Sequence, residues 1–179
     1  GGGMANTFLF AKGFGVGASL CQEELANTAQ DIMSNAQAAG CEIVLPVDVV
    51  LAQAFEAGAD SATVPVEKVP DSMMILDVGP ASVRDLTVRL AGCRTLLWNG
   101  PMGAFEISPF DEGTVSVAKA VAARTKAGKL ISVAGGGDTV AALAQAGTTD
   151  DFTYLSMAGG AFLEWLEGKD LPGIKALEI

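Results

Sequence analysis

Leu130-Ile131-Ser132-Val133-Ala134 runs directly into Gly135-Gly136-Gly137-Asp138-Thr139, and an alanine-rich segment follows. The apolar run predicts a strand over Lys129 to Ala134, the glycines a tight turn, and the rest a helix over Thr139 to Ala146. Without a Cβ, a glycine turn lets backbone approach a ligand closely. The helix start beyond it offers unpaired N–H groups and a partial positive charge. Asp138 adds a carboxylate at the same place, within reach of a metal. Together these features suit a metal-bound polyphosphate.

Similar units recur outward from this stretch. Helical spacing covers Glu23 to Ala39, ended by Gly40, and a short buried strand is expected over Glu42 to Leu45, closed by Pro46. Val47 to Phe55 reads as a short helix, and Ala57 to Pro70 as a loop with an edge strand. A strand follows over Met73 to Val78, a helix over Ser82 to Ala91, and a strand over Arg94 to Trp98. Thr114 to Ala127 is a helix of small residues. Phe152 to Ser156 is the last strand, and Ala158-Gly159-Gly160 opens a final helix through Leu166. Strands that alternate with helices, and that are continuous apolar runs, predict an α/β fold. The expected architecture has three layers: a Rossmann-like parallel sheet with helices on both faces. Ligands of such sheets sit at the carboxyl ends of the strands.

Composition bounds the function. The chain has 179 residues, 50% hydrophobic and 18% charged, which is enough for one domain with a real core. Its net charge of −10 disfavours a nucleic-acid partner, which would call for a basic face. That acidity suits a phosphate binder only if backbone dipoles and a divalent cation meet the phosphates, or if the basic groups lie elsewhere. No histidine is present, which removes Ser-His-Asp and Cys-His sites and most zinc sites. No apolar run reaches the roughly 18 residues of a spanning helix, so no membrane partner is expected. Cys21, Cys41 and Cys93 read as small core hydrophobes in a reducing compartment. Gly1-Gly2-Gly3 reads as a tag remnant or as a cut through a larger protein.

Three segments carry candidate chemistry besides the triple glycine. Gly13-Phe14-Gly15-Val16-Gly17 has the wrong spacing for a dinucleotide fingerprint and follows no clear strand, so it reads as a turn. Trp98-Asn99-Gly100-Pro101-Met102-Gly103-Ala104-Phe105-Glu106 fixes an irregular backbone at a strand end. There Glu106 suits a ribose and Asn99 a phosphate. Taken alone, the segment reads first as a buried turn packed by Trp98 and Phe105. Ser156-Met157-Ala158-Gly159-Gly160-Ala161 presents consecutive N–H groups at a helix start, which suits a phosphoryl group in transfer or merely a close strand–helix crossing.

Considered as a set, these segments resemble one family. Gly1 to Phe8 (GGGMANTF), Leu45-Pro46-Val47-Asp48, Leu76-Asp77-Val78-Gly79-Pro80, Trp98 to Glu106, Gly135 to Thr139, and Leu163 to Lys169 with Leu171-Pro172-Gly173 occur in the order seen in phosphoglycerate kinases. The likeness covers the whole chain, but only the C-terminal, nucleotide-binding part of that enzyme. On this resemblance, residues 1–179 are a nucleotide-binding domain fragment without its first strand and without the N-terminal substrate domain. The implied reaction is reversible phosphoryl transfer between 1,3-bisphosphoglycerate and MgADP, giving 3-phosphoglycerate and ATP.

By position, the resemblance places Gly3, Leu20, Leu76, Pro101 and Ala104 around the adenine and Glu106 on the ribose. Asn99, Gly136, Gly137, Asp138 and Thr139 meet the phosphates, with Asp138 on Mg2+, and Gly159 and Gly160 face the transferred group. The expected setting is cytoplasmic, and the full-length protein a monomer. Two departures stand out. The family usually reads Ser-Thr-Gly-Gly-Gly where this chain has Ser156-Met157-Ala158-Gly159-Gly160, which removes one hydroxyl near the transferred group. The phosphate-binding lysines and the histidine-containing acid site of the family are absent, so this chain alone is expected to be inactive. An alternative reading is a non-catalytic α/β binding or assembly module.

Overall fold

A computed structural model describes residues 1–156, 160–161, 164 and 167–176. The chain divides into two compact units. One is Gly1–Arg89 with Pro101–Val117, and the other is Leu90–Gly100 with Ala118–Ile179.

The first unit opens with helix α1, Gly2–Ala11, followed by α2, Ala26–Ala38. Strands β1 (Asp48–Ala52), β2 (Ser61–Pro65) and β3 (Met74–Val78) form an antiparallel sheet in the order β2-β1-β3. Its core gathers Leu9, Val16, Val49, Leu51 and Val66. Helix α3, Pro80–Gly92, leaves β3 and crosses the division after Arg89, while α4, Glu112–Lys126, crosses it after Val117.

In the second unit, β4 (Thr95–Asn99), β5 (Ile131–Gly135) and β6 (Tyr154–Ser156) run parallel in that order. Helix α5, Gly137–Gln145, connects β5 to β6. Trp98, Val121, Leu130, Ala134, Leu143 and Phe152 are among its buried residues. The Trp98 and Phe152 rings lie 6.2 Å apart in a tilted pair, which adds specific geometry to the burial.

The α/β class and the parallel sheet flanked by helices agree with the sequence reading, with parallel pairing confined to β4, β5 and β6. The first unit's sheet is antiparallel. Residues 53–60 are too few for the crossover that parallel neighbours need. The helix expected over Val47 to Phe55 is strand β1. Burial alternates from Asp48 to Leu51, with Val49 and Leu51 buried, before Ala52 is buried too, and the β-branched Val49 and Val50 favour extended backbone. The strand expected over Glu42 to Leu45 does not form. Ile43 and Val44 remain exposed, and the ladder is made by β1 instead. The opening glycines do not prevent α1, which buries Ala5, Asn6, Thr7 and Leu9. Gly13 and Gly17 have positive φ in the turn after α1, so the dinucleotide alternative lacks its strand. Cys41 is exposed and Cys21 and Cys93 are half-buried, so none of the three is a deep core residue.

Candidate functional site

The candidate residues fall into two groups, one in each unit. In the second unit the three parallel strands end together. Asn99 pairs in register with Gly135, and Gly135 with Ser156. The Gly136 N–H donates to the Ser156 carbonyl at 3.2 Å. Gly136 has φ +99°, a conformation open essentially to glycine, and this is what turns β5 into α5. The N-cap residue of α5 is Gly136, which has no side chain to offer the first-turn N–H groups of Gly137, Asp138 and Thr139. Asn99, Gly137 and Asp138 are exposed beside this helix start.

Thr139 differs from the others. It is 2% exposed, and its Oγ1 accepts the Gly100 N–H at 2.7 Å. Its hydroxyl therefore braces the end of β4 to the first turn of α5, and only its backbone N–H belongs to the helix start. Trp98 supports the same turn by donating its indole N–H to the Gly100 carbonyl at 2.5 Å. Gly160 is exposed in helical conformation, and Gly159 lies outside the described residues.

In the first unit, Gly3, Leu20, Leu76, Pro101, Ala104 and Glu106 are held by backbone contacts. A Cβ on Gly3 would lie 3.0 Å from Leu20 Cδ2, so these two residues touch. The Ala104 N–H donates to the Leu76 carbonyl at 2.8 Å. The Gly2 N–H donates to the Met102 carbonyl at 3.0 Å, and the Met102 N–H to Thr114 Oγ1 at 3.0 Å. Pro101 precedes this loop, and Glu106 is exposed near its end. Leu20 is 78% exposed.

Asn6 and Thr7 carry part of this arrangement. Buried in α1, Asn6 Nδ2 donates to the Leu20 carbonyl at 3.1 Å, and Thr7 Oγ1 accepts the Gln22 N–H at 3.1 Å. Both fix the segment beside Gly3. The signal was present in the sequence as a polar pair inside an apolar helix. Burying such groups is costly unless they are bonded.

Two carboxylates govern the electrostatics of this unit. Asp48, in β1, accepts the Ala81 and Ser82 N–H groups at 2.9 and 2.7 Å and so caps α3. Burial pushes its carboxyl up, but the Ser82 hydroxyl and these two N–H groups outweigh it, with Arg84 adding, and the net shift is downward. Asp77, in β3, accepts the Val78 N–H at 2.8 Å and the Gly113 N–H at 2.7 Å. Burial lifts its carboxyl to about 7 against the pull of these donors, with Asp111 and Glu112 raising it further. Sequence reading gives Asp77 no role of its own, because its Gly113 partner lies 36 positions away.

The donor set constrains a metal. Among the described residues, no three His, Cys, Asp or Glu side chains cluster in a way that would hold an ion. Asp138 therefore offers one exposed carboxylate in the first turn of α5, whose N-cap is a glycine. This fits Mg2+, which commonly binds through one or two carboxylates plus substrate phosphates and water. It does not fit a calcium cage, which needs six to eight oxygen ligands.

Comparison with known proteins places the chain in a family. The phosphoglycerate kinase family profile matches residues 1–169. The phosphoglycerate kinase of Methylobacterium radiotolerans is 63% identical over 177 residues, covering 99% of this chain and 44% of that protein. That of Azorhizobium caulinodans is also 63% identical, covering 99% of this chain and 45% of that protein. The structure of phosphoglycerate kinase from Coxiella burnetii superposes with a TM-score of 0.91 at 44% identity, covering 98% of this chain and 44% of that one. That of Pyrococcus horikoshii gives 0.79 at 28% identity. The chain thus spans under half the length of these relatives. Among the described residues, no helix is long and apolar enough to cross a membrane. The match over residues 1–169, with the strand-end glycine turn it contains, shows that this chain belongs to the phosphoglycerate kinase family.

Proposed function

We propose that this chain is the nucleotide-binding part of a glycolytic transferase. The reaction is reversible phosphoryl transfer between 1,3-bisphosphoglycerate and MgADP, giving 3-phosphoglycerate and ATP. The observation that carries this reading is the uncapped start of α5 at the carboxyl ends of three parallel strands, with Asp138 in its first turn. Oriented N–H groups at such a place favour phosphate oxygens without any basic side chain. That accounts for a phosphate site in a chain of net charge −10.

The roles divide between the two units. In the first, Gly3, Leu20, Leu76, Pro101 and Ala104 receive the adenine, and Glu106 accepts from the ribose hydroxyls. In the second, Asn99 donates to a phosphate oxygen, and the N–H groups of Gly137 to Thr139 bind others. Gly136 supplies the turn that aims them. Asp138 would hold Mg2+, which neutralises phosphate charge when bound. The Gly160 N–H is assigned to the transferred group together with Gly159. Phosphoryl transfer asks a protein mainly for positioning and charge stabilisation, and backbone donors provide both. The acid substrate is assigned to the N-terminal domain of the full-length enzyme, so turnover is not expected from these residues alone.

Calorimetry with MgADP tests the reading. Binding is expected, and Asp138→Ala should weaken it when magnesium is present far more than when it is chelated. Failure to bind millimolar MgADP would refute a formed nucleotide site in this chain. Equal weakening with and without magnesium would refute the metal role of Asp138.

A further inference from the structure

Asp77 is a buried carboxylate, with 2% of its surface exposed. It sits one residue beyond Leu76 in β3. One oxygen accepts the Gly113 N–H at the first turn of α4, and the other accepts the Val78 N–H. The packing is tight on two further sides. A Cβ on Gly103 would lie 2.4 Å from Asp77 Oδ1, and a Cβ on Gly113 would lie 2.5 Å from the same atom. The carboxylate is therefore wedged between the two glycines that bracket the loop bearing Ala104 and Glu106. That loop is tied to β3 by the Ala104–Leu76 bond and to α4 by the Met102–Thr114 bond.

A wedge of this kind has a functional consequence. Leu76 and Ala104 are the adjoining backbone points of the base wall, and the loop from Gly103 to Gly113 carries the ribose acceptor. Removing the carboxylate frees the Gly113 N–H and opens space against the Cα atoms of both glycines. The loop then gains freedom where a planar base requires a fixed slot. A buried charge is costly to keep. A neutral side chain would fill the space at a lower cost, but could not accept from both N–H groups with both of its polar atoms.

Resting on the nucleotide reading above, we infer that Asp77 is a positioning residue for nucleoside recognition: without touching the nucleoside, it sets the spacing of the Leu76–Ala104 wall and of Glu106 through Gly103 and Gly113. The ligand class that senses it is the nucleoside, base plus ribose. The phosphates are not read through it.

Two probes separate these classes in the 179-residue chain. Adenosine carries base and ribose only, and magnesium pyrophosphate carries phosphates only. Titrations followed by NMR should show Asp77→Asn binding adenosine about tenfold more weakly, the loss expected for one charge-assisted hydrogen bond. Pyrophosphate affinity should stay within about twofold. Equal adenosine affinity in the two proteins, or equal loss for both probes, overturns the role of Asp77 and leaves the nucleotide reading intact. If the unaltered chain binds neither probe, the nucleotide reading falls and the role of Asp77 falls with it. A second measurement needs no variant. Adenosine should slow amide exchange at Gly113, which does not touch it, as well as at Ala104. Slowing at Ala104 without slowing at Gly113 overturns the proposal even if Asp77→Asn does not fold.

Discussion

Replacing Thr139 by Val tests whether its hydroxyl is a brace within the protein. The exchange keeps the shape of the side chain and removes only the acceptor of the Gly100 N–H, which it meets at 2.7 Å. Thr139 is 2% exposed, so water cannot readily replace the lost partner on the side-chain side. A buried donor left unsatisfied costs about 1–3 kcal/mol. With a urea slope of roughly 2 kcal/mol/M, a loss of about 2 kcal/mol lowers the unfolding midpoint by about 1 M. Thr139→Ser is the informative control. It keeps the hydroxyl and loses one buried methyl, which costs about 0.8 kcal/mol. Trp98 reports on the same turn through its bond to the Gly100 carbonyl, so its fluorescence in a Trp165→Phe background follows the relevant unit. Stability should fall in the order wild type, Ser variant, Val variant. Apolar burial alone gives the opposite order for the two variants. A Thr139→Val protein as stable as Thr139→Ser would refute the brace.

Three further outcomes are expected. Gly136→Ala should cost about 1–3 kcal/mol from backbone strain at φ +99°, since its nearest neighbours stand at 3.5 Å and 3.6 Å and cause no clash. Urea unfolding measures this cost, and a neutral result would show that the turn relaxes. Asp48 has a lowered carboxyl, so its contribution is present above the ordinary carboxylate range and is lost as pH falls through the lowered value. Asp48→Ala should remove about 0.5–2 kcal/mol at neutral pH and very little in strong acid, read from unfolding curves at both. Asp77 has the opposite sign. Its folded-state carboxyl lies at about 7 against an ordinary 3.8, so stability is greatest below the ordinary value and declines as pH rises towards 7. That difference corresponds to about 4 kcal/mol, and Asp77→Asn should flatten the slope of stability between pH 4 and 7. An unchanged slope in the variant would assign the pH dependence to other groups.

The legible parts of this chain were those whose signal is local. The strand, glycine turn and helix around Gly136 were readable because apolar period, turn residue and helix composition changed within a few positions. The family motifs were equally local. Val47 to Phe55 was misread because an apolar run without turn residues does not separate strand from helix by periodicity. The antiparallel sheet escaped notice because pairing direction is set by partners and connection lengths, which a single segment does not carry. Asn6, Thr7 and Asp77 were missed as support for the site for a related reason. Their hydrogen bonds reach 14, 15 and 36 residues along the chain. Thr139 is expected from the sequence to meet the phosphates, with no role given to its hydroxyl in particular. Only the fold shows that Gly100 claims it.

The contact of Asp77 with two glycine Cα atoms also limits how this protein can change over evolutionary time. Alanine at Gly103 meets the carboxylate at 2.4 Å, and alanine at Gly113 meets it at 2.5 Å. Shrinking position 77 would not by itself admit alanine at Gly103, where the Leu76 carbonyl oxygen at 2.6 Å and the Asp77 Cα at 2.7 Å also stand in the way, and at Gly113 the Val78 Cγ2 at 2.7 Å would still have to give. Gly103 is thus held by backbone whatever residue occupies position 77, whereas Gly113 is held by side chains that can change with it. Lineages that keep Asp77 should keep both glycines, even though the three are separated in sequence.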